Sequence, residues 1–212
     1  MKIPFFDQPW VRIWARPRQV LRGILDSDPK RNIHSLAMAG GVLNLMDRVQ
    51  MSSVGEHFSL EAILLFSLSV GPLIGLAYLY LGGALLTWTG RWFGGTGTQE
   101  EVRAACAWGA VPTLWEVLWW VPALLYFGNE MFTKITPKMD ALPAGVSILL
   151  GFGMIVFYGC EFVVDLKCLG EAHRFSAWKA LGASFIARLL MISCWLIPTA
   201  MLYGIAKLYE LF

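Results

Sequence analysis

The chain has 212 residues, of which 57% are hydrophobic and only 15% are charged, and its net charge is +2 at pH 7. Ordinary soluble domains are roughly 45–50% apolar and about 25% charged, so this balance excludes a typical soluble domain and indicates a membrane protein. The ten tryptophans fit the same class, because an amphipathic indole ring is favoured where apolar and wet surroundings meet.

The first segment, residues 1–31, contains the pattern PWVRIWARPRQVLRGILDSDP, which predicts an amphipathic helix lying on the membrane surface. The apolar residues recur at helical spacing, and arginines fill the gaps. The candidate membrane-surface residues are Trp10, Arg12, Trp14, Arg16, Arg18 and Arg22. Asp7 or Gln8 is expected to cap the helix ahead of Pro9, and Pro17 is expected to kink or restart it. The alternative is an anchor that serves only topology.

Residues 32–212 are predicted to form an all-α membrane domain with five spans. A hydrocarbon core about 30 Å thick needs roughly 20 helical residues. Four stretches meet this need clearly, at 60–88, 104–127, 142–164 and 181–206. A weaker stretch, 32–49, contains glycine and ends in Asp47 and Arg48; it is interpreted as the first span, with a half-inserted hairpin as the alternative.

The basic residues predict the orientation of these spans. With a cytoplasmic N-terminus and an external C-terminus, the seventeen Lys and Arg residues divide as twelve inside, three outside and two within spans. Positive charge accumulates on the cytoplasmic side of membrane proteins, so this orientation is favoured. Residues 1–31 contain no continuous apolar run typical of a signal peptide. Because the basic residues follow membrane topology, no nucleic-acid partner is predicted.

A glycine-rich loop opens the stretch GRWFGGTGTQEEVRAACAWGAVP at residues 90–112. A phosphate-binding loop needs Lys and then Ser or Thr after its last glycine, whereas Thr98 and Gln99 follow here, so nucleotide binding is not predicted. Thr98 and Glu101 match a capping box, which predicts that a helix starts near Gln99. The glycines are expected to let the chain turn sharply before that helix.

Three stretches resemble the Yip family, the Ypt-interacting membrane proteins. They are WARPRQVLRGIL at 14–25, GGTGTQEEVRAACAWGAVP at 94–112 and EAHRFSAWKALGA at 171–183. Eukaryotic members act in vesicle traffic and contact Rab-type GTPases, whereas bacterial members have no generally assigned reaction. The short basic N-terminus is that of the bacterial kind. The resemblance therefore implies a five-span protein of the bacterial cytoplasmic (inner) membrane.

Ionisable residues inside the predicted spans indicate an intramembrane polar site, because a charge at that depth is costly unless it is paired or faces water. The candidates are Glu116, Glu161, Asp165 and Arg188. Glu161 and Asp165 are four residues apart and share a helix face, so we predict an Arg188–Glu161 pair with Glu116 deeper. The site is either a structural salt bridge or a functional one, namely a proton or cation relay or a cavity for a lipid headgroup.

Small residues predict close helix packing. Gly71 and Gly75 form a G-x-x-x-G pattern, and Gly145, Gly151, Gly153 and Gly159 recur in the fourth predicted span. Such patterns pack one chain or join two, so a homodimer is possible. The cysteines at 106, 160, 168 and 194 form no C-x-x-C pair, and no disulfide or zinc site is predicted. No cofactor, metal or enzymatic activity is predicted.

The sequence thus favours a membrane scaffold or adaptor whose cytoplasmic segments 1–31, 90–103 and 165–180 dock a protein partner. The candidate docking residues are Gly94, Gly95, Gly97, Glu101, Arg103, Glu171, His173 and Arg174. Membrane lipids are the other expected partners. The alternative function is the transport or scrambling of a lipid or small ion through the intramembrane polar site.

Overall fold

The computed structural model describes the backbone of residues 8–209 and the side chains of residues 8–193. Throughout this part of the chain the regular structure is helical, and no strand occurs in it. The helices are α1 Pro9–Ala15, α2 Pro17–Ser27, α3 Ile33–Gln50, α4 Leu60–Ala77, α5 Gly83–Trp92, α6 Gln99–Gly109, α7 Val111–Leu114, α8 Val117–Phe127, α9 Pro137–Asp140, α10 Ala144–Ala172 and α11 Ala177–Tyr209. Residues 1–7 of the predicted surface segment lie outside the described part.

The two N-terminal helices break at Arg16, as the proline at position 17 predicts. Gln8 occupies the N-cap position of α1, and Pro9 begins that helix. Proline is well suited to the first turn, where its missing N–H leaves no hydrogen bond unmade. The apolar sides of both helices are buried against the rest of the chain through Ile13, Leu21 and Ile24. They therefore contribute to the core, and their placement at a membrane surface stays a prediction.

Helices α3 and α4 form an antiparallel pair whose backbones nearly touch. A Cβ atom added to Gly41 would overlap the Gly71 carbonyl oxygen, and one added to Gly71 would lie 2.6 Å from the Val42 Cα. A Cβ atom on Gly75 would overlap the Ala37 carbonyl oxygen. The close approach predicted from Gly71 and Gly75 is confirmed, and α3 of the same chain is the helix that makes it.

Two of the described helices are long and apolar enough to cross a membrane, namely Leu60–Trp92, which joins α4 to α5, and Ala144–Ala172. The first contains a π-helical turn over Tyr78–Gly82. A third candidate consists of Gln99–Leu114 and Val117–Phe132, which meet at a bend of 41°. The third predicted span, 104–127, therefore corresponds to this bent pair of helices. Pro112 lies in the first turn of α7, close to this bend, and the helix is interrupted at Trp115 and Glu116.

The structure does not confirm the other two predicted spans, 32–49 and 181–206. Helix α3 is 18 residues long and is not among the described helices that are long and apolar enough to cross a membrane. Helix α11 runs antiparallel to α5, where Phe93 packs on Gly182. The side chains of residues 194–206, in the second half of the fifth predicted span, lie outside the described part. A count of five spans thus stays a prediction.

Helix α10 packs antiparallel to α6 and α7 only along its second half. Gly109 lies against Asp165 and Cys168, and Thr113 donates a hydrogen bond to Glu161. Nearer its start, an added Cβ atom on Gly145, Gly151, Gly153 or Gly159 would meet nothing within 4 Å. The close packing predicted at these four glycines is therefore not made by any of the described residues.

The α3–α4 contact yields a prediction that uses neighbouring glycines. Gly41→Ala should lower the thermal unfolding midpoint, since overpacking typically costs about 1–3 kcal/mol. Gly40→Ala is the matched control, because a Cβ atom there meets nothing within 4 Å. Removing a glycine from a helix should stabilise it by about 0.5–1 kcal/mol. Circular dichroism melts in one detergent measure both, and equal midpoints for the two variants would contradict the packing described.

Candidate functional site

One end of the helix bundle gathers most of the residues that the sequence selected for docking. We call it the glycine-loop end and define it as residues 90–103 and 170–179 together with Arg18 and Arg22. It contains the turn between α5 and α6, the turn between α10 and α11, and part of α2. Three segments that are distant in the sequence therefore meet there.

The glycine loop is a helix C-cap followed by a helix N-cap. The Gly95 N–H donates to the Gly90 carbonyl at 2.9 Å, the Gly94 N–H donates to the Arg91 carbonyl at 3.0 Å, and Gly94 has φ +80°. These two bonds and the left-handed residue define a Schellman motif. Glycine adopts that conformation without steric cost, so Gly94 is the residue that allows α5 to end sharply.

The end of α10 repeats this motif with an arginine in the left-handed position. The Phe175 N–H donates to the Gly170 carbonyl at 2.9 Å, and the Arg174 N–H donates to the Glu171 carbonyl at 3.2 Å. Arg174 has φ +58°, which is uncommon for a residue other than glycine. A side chain in this conformation is retained when its contacts compensate for the strain. Here those contacts are made to Thr96 and Glu101.

The His173 ring lies in a cradle made by three glycines of the loop. His173 is 1% exposed. A Cβ atom on Gly90 would overlap the imidazole ring, one on Gly95 would lie 2.5 Å from Nδ1, and one on Gly97 would lie 2.7 Å from the Ala172 carbonyl oxygen. The Thr96 N–H also donates to the His173 carbonyl at 3.2 Å. The glycines are thus needed because the two turns pack directly on each other.

The start of α6 has the capping box that the sequence predicts. The Glu101 N–H donates to Thr98 Oγ1 at 3.3 Å, and the Thr98 N–H donates to Glu101 Oε2 at 2.8 Å. The other carboxylate oxygen of Glu101 accepts a bond from Arg174 Nη2 at 2.7 Å. One side chain therefore caps α6 and joins the glycine loop to the turn after α10.

Glu171 joins this turn to the N-terminal helices. Its Oε1 accepts a hydrogen bond from Arg22 Nε at 2.7 Å, and its Oε2 accepts one from Arg18 Nη1 at 3.4 Å. Arg18 Nη2 donates in addition to the Phe175 carbonyl at 3.1 Å. Two of the arginines that were assigned to lipid headgroups therefore bind a carboxylate of the protein itself, and each keeps about 40% of its side chain exposed.

The remaining residues of the predicted surface helix have mixed environments. Trp10 packs on Trp108 with the ring centroids 5.2 Å apart, and Trp14 packs on Phe157 at 5.4 Å. Arg12 is half-buried and Arg16 is exposed. The two tryptophans thus contact helices of the bundle, which the helical periodicity alone did not indicate.

The predicted docking residues divide into interior and surface groups. His173 and Gly97 are buried, and Gly95 is half-buried against the imidazole ring, so these three offer little surface to a partner. Arg103 is half-buried, with its guanidinium carbon 4.6 Å from the centre of the Tyr80 ring. Gly94 and Arg174 are exposed. The interior group holds the surface group in place.

The predicted intramembrane polar site separates into two places, and the predicted Arg188–Glu161 pair is wrong. Glu161 accepts a hydrogen bond from Thr113, and the Arg188 guanidinium carbon lies 5.9 Å from the centre of the Phe162 ring. Successive helical residues point about 100° apart, so Glu161 faces α7 while Phe162 faces α11. Arg188 instead shares a small cavity with Asp165, Tyr78 and Ser184.

Glu116 lies beside Asp47, a residue that the sequence interpretation left out of the site. The Asp47 carboxyl interacts with both Glu116 and Trp120, and Glu161 is also within electrostatic range of Glu116. In the sequence, Asp47 follows the apolar stretch of the first predicted span, so it was interpreted as the charged end of that span. The structure shows Asp47 half-buried on α3, and no local sequence pattern indicated this environment.

A groove of about 620 Å³ opens beside Glu116, between α1, the α7–α8 break and the first half of α10. Its lining is almost entirely apolar and rich in aromatic residues. Within the described residues no group of three or more His, Cys, Asp or Glu side chains is arranged to hold a metal ion.

A family model for the Yip1 domain matches residues 11–198, which is nearly the whole chain. No curated protein and no solved structure matches the chain at a significant level. The family match covers both the glycine-loop end and the groove beside Glu116.

The buried imidazole gives the glycine-loop end a pH dependence. Burial lowers the pKa of His173 below its ordinary value of 6.5; the Leu86 backbone and Glu101 partly offset this effect, and Arg91 adds to it. As the pH falls through about 6.5, the unfolded chain binds a proton that the folded chain does not, so stability decreases. The thermal midpoint should therefore fall between pH 7.5 and pH 5.5. His173→Gln should flatten this dependence, whereas His57→Gln, at an exposed position, should not; an unchanged slope in His173→Gln would contradict the assignment.

The Glu171 contacts predict how firmly the N-terminal helices are held. In Glu171→Ala, trypsin should cleave α2 after Arg18 and Arg22 about fivefold faster. Losing about 1 kcal/mol of the free energy that holds α2 in place raises the population of the open form by about this factor. Glu100→Ala is the matched control, because its pair with Lys30 at 3.2 Å is largely exposed and contributes little. Timed digestion followed by mass spectrometry measures both. Equal cleavage rates in the two variants would contradict a specific role for Glu171.

Proposed function

The chain belongs to the Yip1 domain family, and we propose that it is a membrane scaffold that presents the glycine-loop end to a protein partner. The family and the apolar helices point to a multi-pass membrane protein. Our proposal adds a five-span chain in a bacterial inner membrane, with a cytoplasmic N-terminus and an external C-terminus. The function proposed is binding and organisation, without a catalytic step.

The observation that carries this proposal is the joining of three sequence segments into one face. Glu171 connects α2 to the end of α10, His173 packs the turn after α10 on the glycine loop, and Glu101 binds Arg174. A face assembled from distant segments is fixed only when the whole bundle is folded. Such rigid presentation lowers the entropy cost of binding a partner.

Exposed side chains on this face supply groups for recognition. Gln99, Arg174 and Lys179 are exposed, and Trp178 is 81% exposed. Tryptophan and arginine are enriched among the residues that dominate protein interfaces. A surface with these residues over a fixed interior supports a docking role better than a catalytic one.

The distribution of positive charge supports the orientation proposed. The glycine-loop end contains Arg18, Arg22, Arg91, Arg103, Arg174 and Lys179. The opposite end, around residues 128–143, contains Lys134 and Lys138. Since positive charge favours the cytoplasmic side, the glycine-loop end is assigned to the cytoplasm.

Photo-crosslinking in growing cells tests the docking role. A photoreactive amino acid at Gln99 should give one discrete protein adduct, and the same amino acid at Lys134, exposed at the opposite end, should not. Arg174→Glu should abolish the Gln99 adduct because it inverts a surface charge and breaks the bond to Glu101. Glu116→Gln should leave the adduct unchanged, because Glu116 lies far from this face.

A charge-swapped variant separates docking from folding. Glu101→Arg combined with Arg174→Glu restores an internal ion pair while inverting both charges. If the partner recognises the surface charge, this variant should be folded and should still give no adduct. An adduct that survives Arg174→Glu but is lost in Glu116→Gln would reject the scaffold.

That outcome would favour a second candidate function, the handling of a lipid or small ion. The observation behind it is the cluster of Asp47, Glu116 and Glu161, three carboxyl groups at the level of the bend between α7 and α8. Carboxyl groups at membrane depth commonly mark a path for substrates or ions.

A further inference from the structure

The groove beside Glu116 has an aromatic wall, and we name it the aromatic groove. It is lined by Trp14 of α1, by Trp115 and Trp119 near the helix break, and by Phe157 and Tyr158 of α10. Its volume of about 620 Å³ lies within the range of roughly 300–1,000 Å³ that is typical of small-molecule sites. Aromatic faces carry partial negative charge and attract cations.

Glu116 places a carboxyl group in this wall. The residue is only 6% exposed, it lines the groove, and its Oε2 atom accepts no hydrogen bond. A buried polar atom without a partner is costly, and such atoms in native proteins commonly mark functional positions. Glu116 stands at the N-cap position of α8, at the break that forms one side of the groove.

The surroundings of Glu116 are acidic and lack a compensating base. Asp47 and Glu161 both interact with it, and Tyr158 of the groove wall is within electrostatic range of all three acids. Among the described residues none of these acids belongs to an ion pair. Glu116 therefore places an acidic group without a basic partner in an otherwise apolar lining.

We propose that the aromatic groove binds an amphiphile that carries a single ammonium-type positive charge. The cation is held by Glu116 and the aromatic rings, and the apolar part of the ligand lies along Leu149 and Leu118. A positive charge satisfies the unpartnered oxygen, which an anionic or purely apolar molecule does not. Charge complementarity thus selects the ligand class.

This inference is independent of the docking role proposed for the glycine-loop end. The same chemistry is supplied by two sources, a membrane lipid with an amine headgroup or a free lipophilic amine. Both have an apolar body and one ammonium group, and the test below distinguishes them.

Two kinds of variant probe the groove. Glu116→Gln removes the negative charge with little change in volume. Gly153→Leu fills the groove, because Gly153 lines it and an added Cβ atom meets nothing within 4 Å. Gly159→Leu is the matched control on the same helix, since its surroundings are equally open and it is not part of the lining.

The test is equilibrium binding of radiolabelled tetrapentylammonium to the full chain, purified in an uncharged detergent and checked for folding by circular dichroism. We expect saturable binding of one ion per chain, at least tenfold weaker in Glu116→Gln and in Gly153→Leu and unchanged in Gly159→Leu. Displacement by phosphatidylethanolamine but not by phosphatidylglycerol identifies a lipid as the source, and displacement by neither identifies a free amine.

Several results would overturn the proposal. One is the absence of saturable binding to the folded wild-type chain. Another is wild-type affinity in a folded Glu116→Gln variant. A third is equal weakening by Gly153→Leu and Gly159→Leu, which would place the ion somewhere other than the aromatic groove.

Discussion

The arrangement of this protein depends on backbone contacts that exist only because glycine has no side chain. Between apolar helices in lipid the hydrophobic effect contributes little, so close packing and hydrogen bonds must hold the helices together. Gly41, Gly71 and Gly75 let α3 and α4 touch along their backbones. Gly90, Gly95 and Gly97 let the loop after α5 close around the His173 ring. The first contact pairs two helices, and the second positions the candidate site.

The charged contacts of the glycine-loop end follow from this packing. Partly exposed ion pairs contribute little to stability when they stand alone. Here Glu101 and Glu171 each bind more than one group, and both lie next to the turn that His173 fixes. A fixed turn removes much of the entropy cost of forming such bonds. The face proposed for docking is therefore rigid because its interior is packed. The ion pairs fix the positions of its three segments relative to one another.

The sequence predicted features that depend on local chemistry. The Thr98–Glu101 capping box, the helix break at Pro17 and the close contact of Gly71 and Gly75 are all confirmed. It missed features that depend on which helices become neighbours. Asp47 reads as the charged end of a short span until α3 is placed beside the bend at Glu116, and His173 reads as a surface residue until the glycine loop covers it. The Arg188–Glu161 pair failed for the same reason, because Thr113 on a third helix takes the position beside Glu161.

Helix α2, the glycine loop and the turn after α10 form one rigid face of the membrane-embedded protein. Distances between spin labels measure this directly. Labels would be placed in pairs at the exposed positions Gln19, Gln99 and Lys179, with the native cysteines replaced, and read by pulsed electron paramagnetic resonance in lipid nanodiscs. A rigid face should give a single narrow distance distribution for each pair, and Glu171→Ala should broaden the distribution for the pairs that include Gln19. Broad or multiple distributions in the wild-type chain would contradict it.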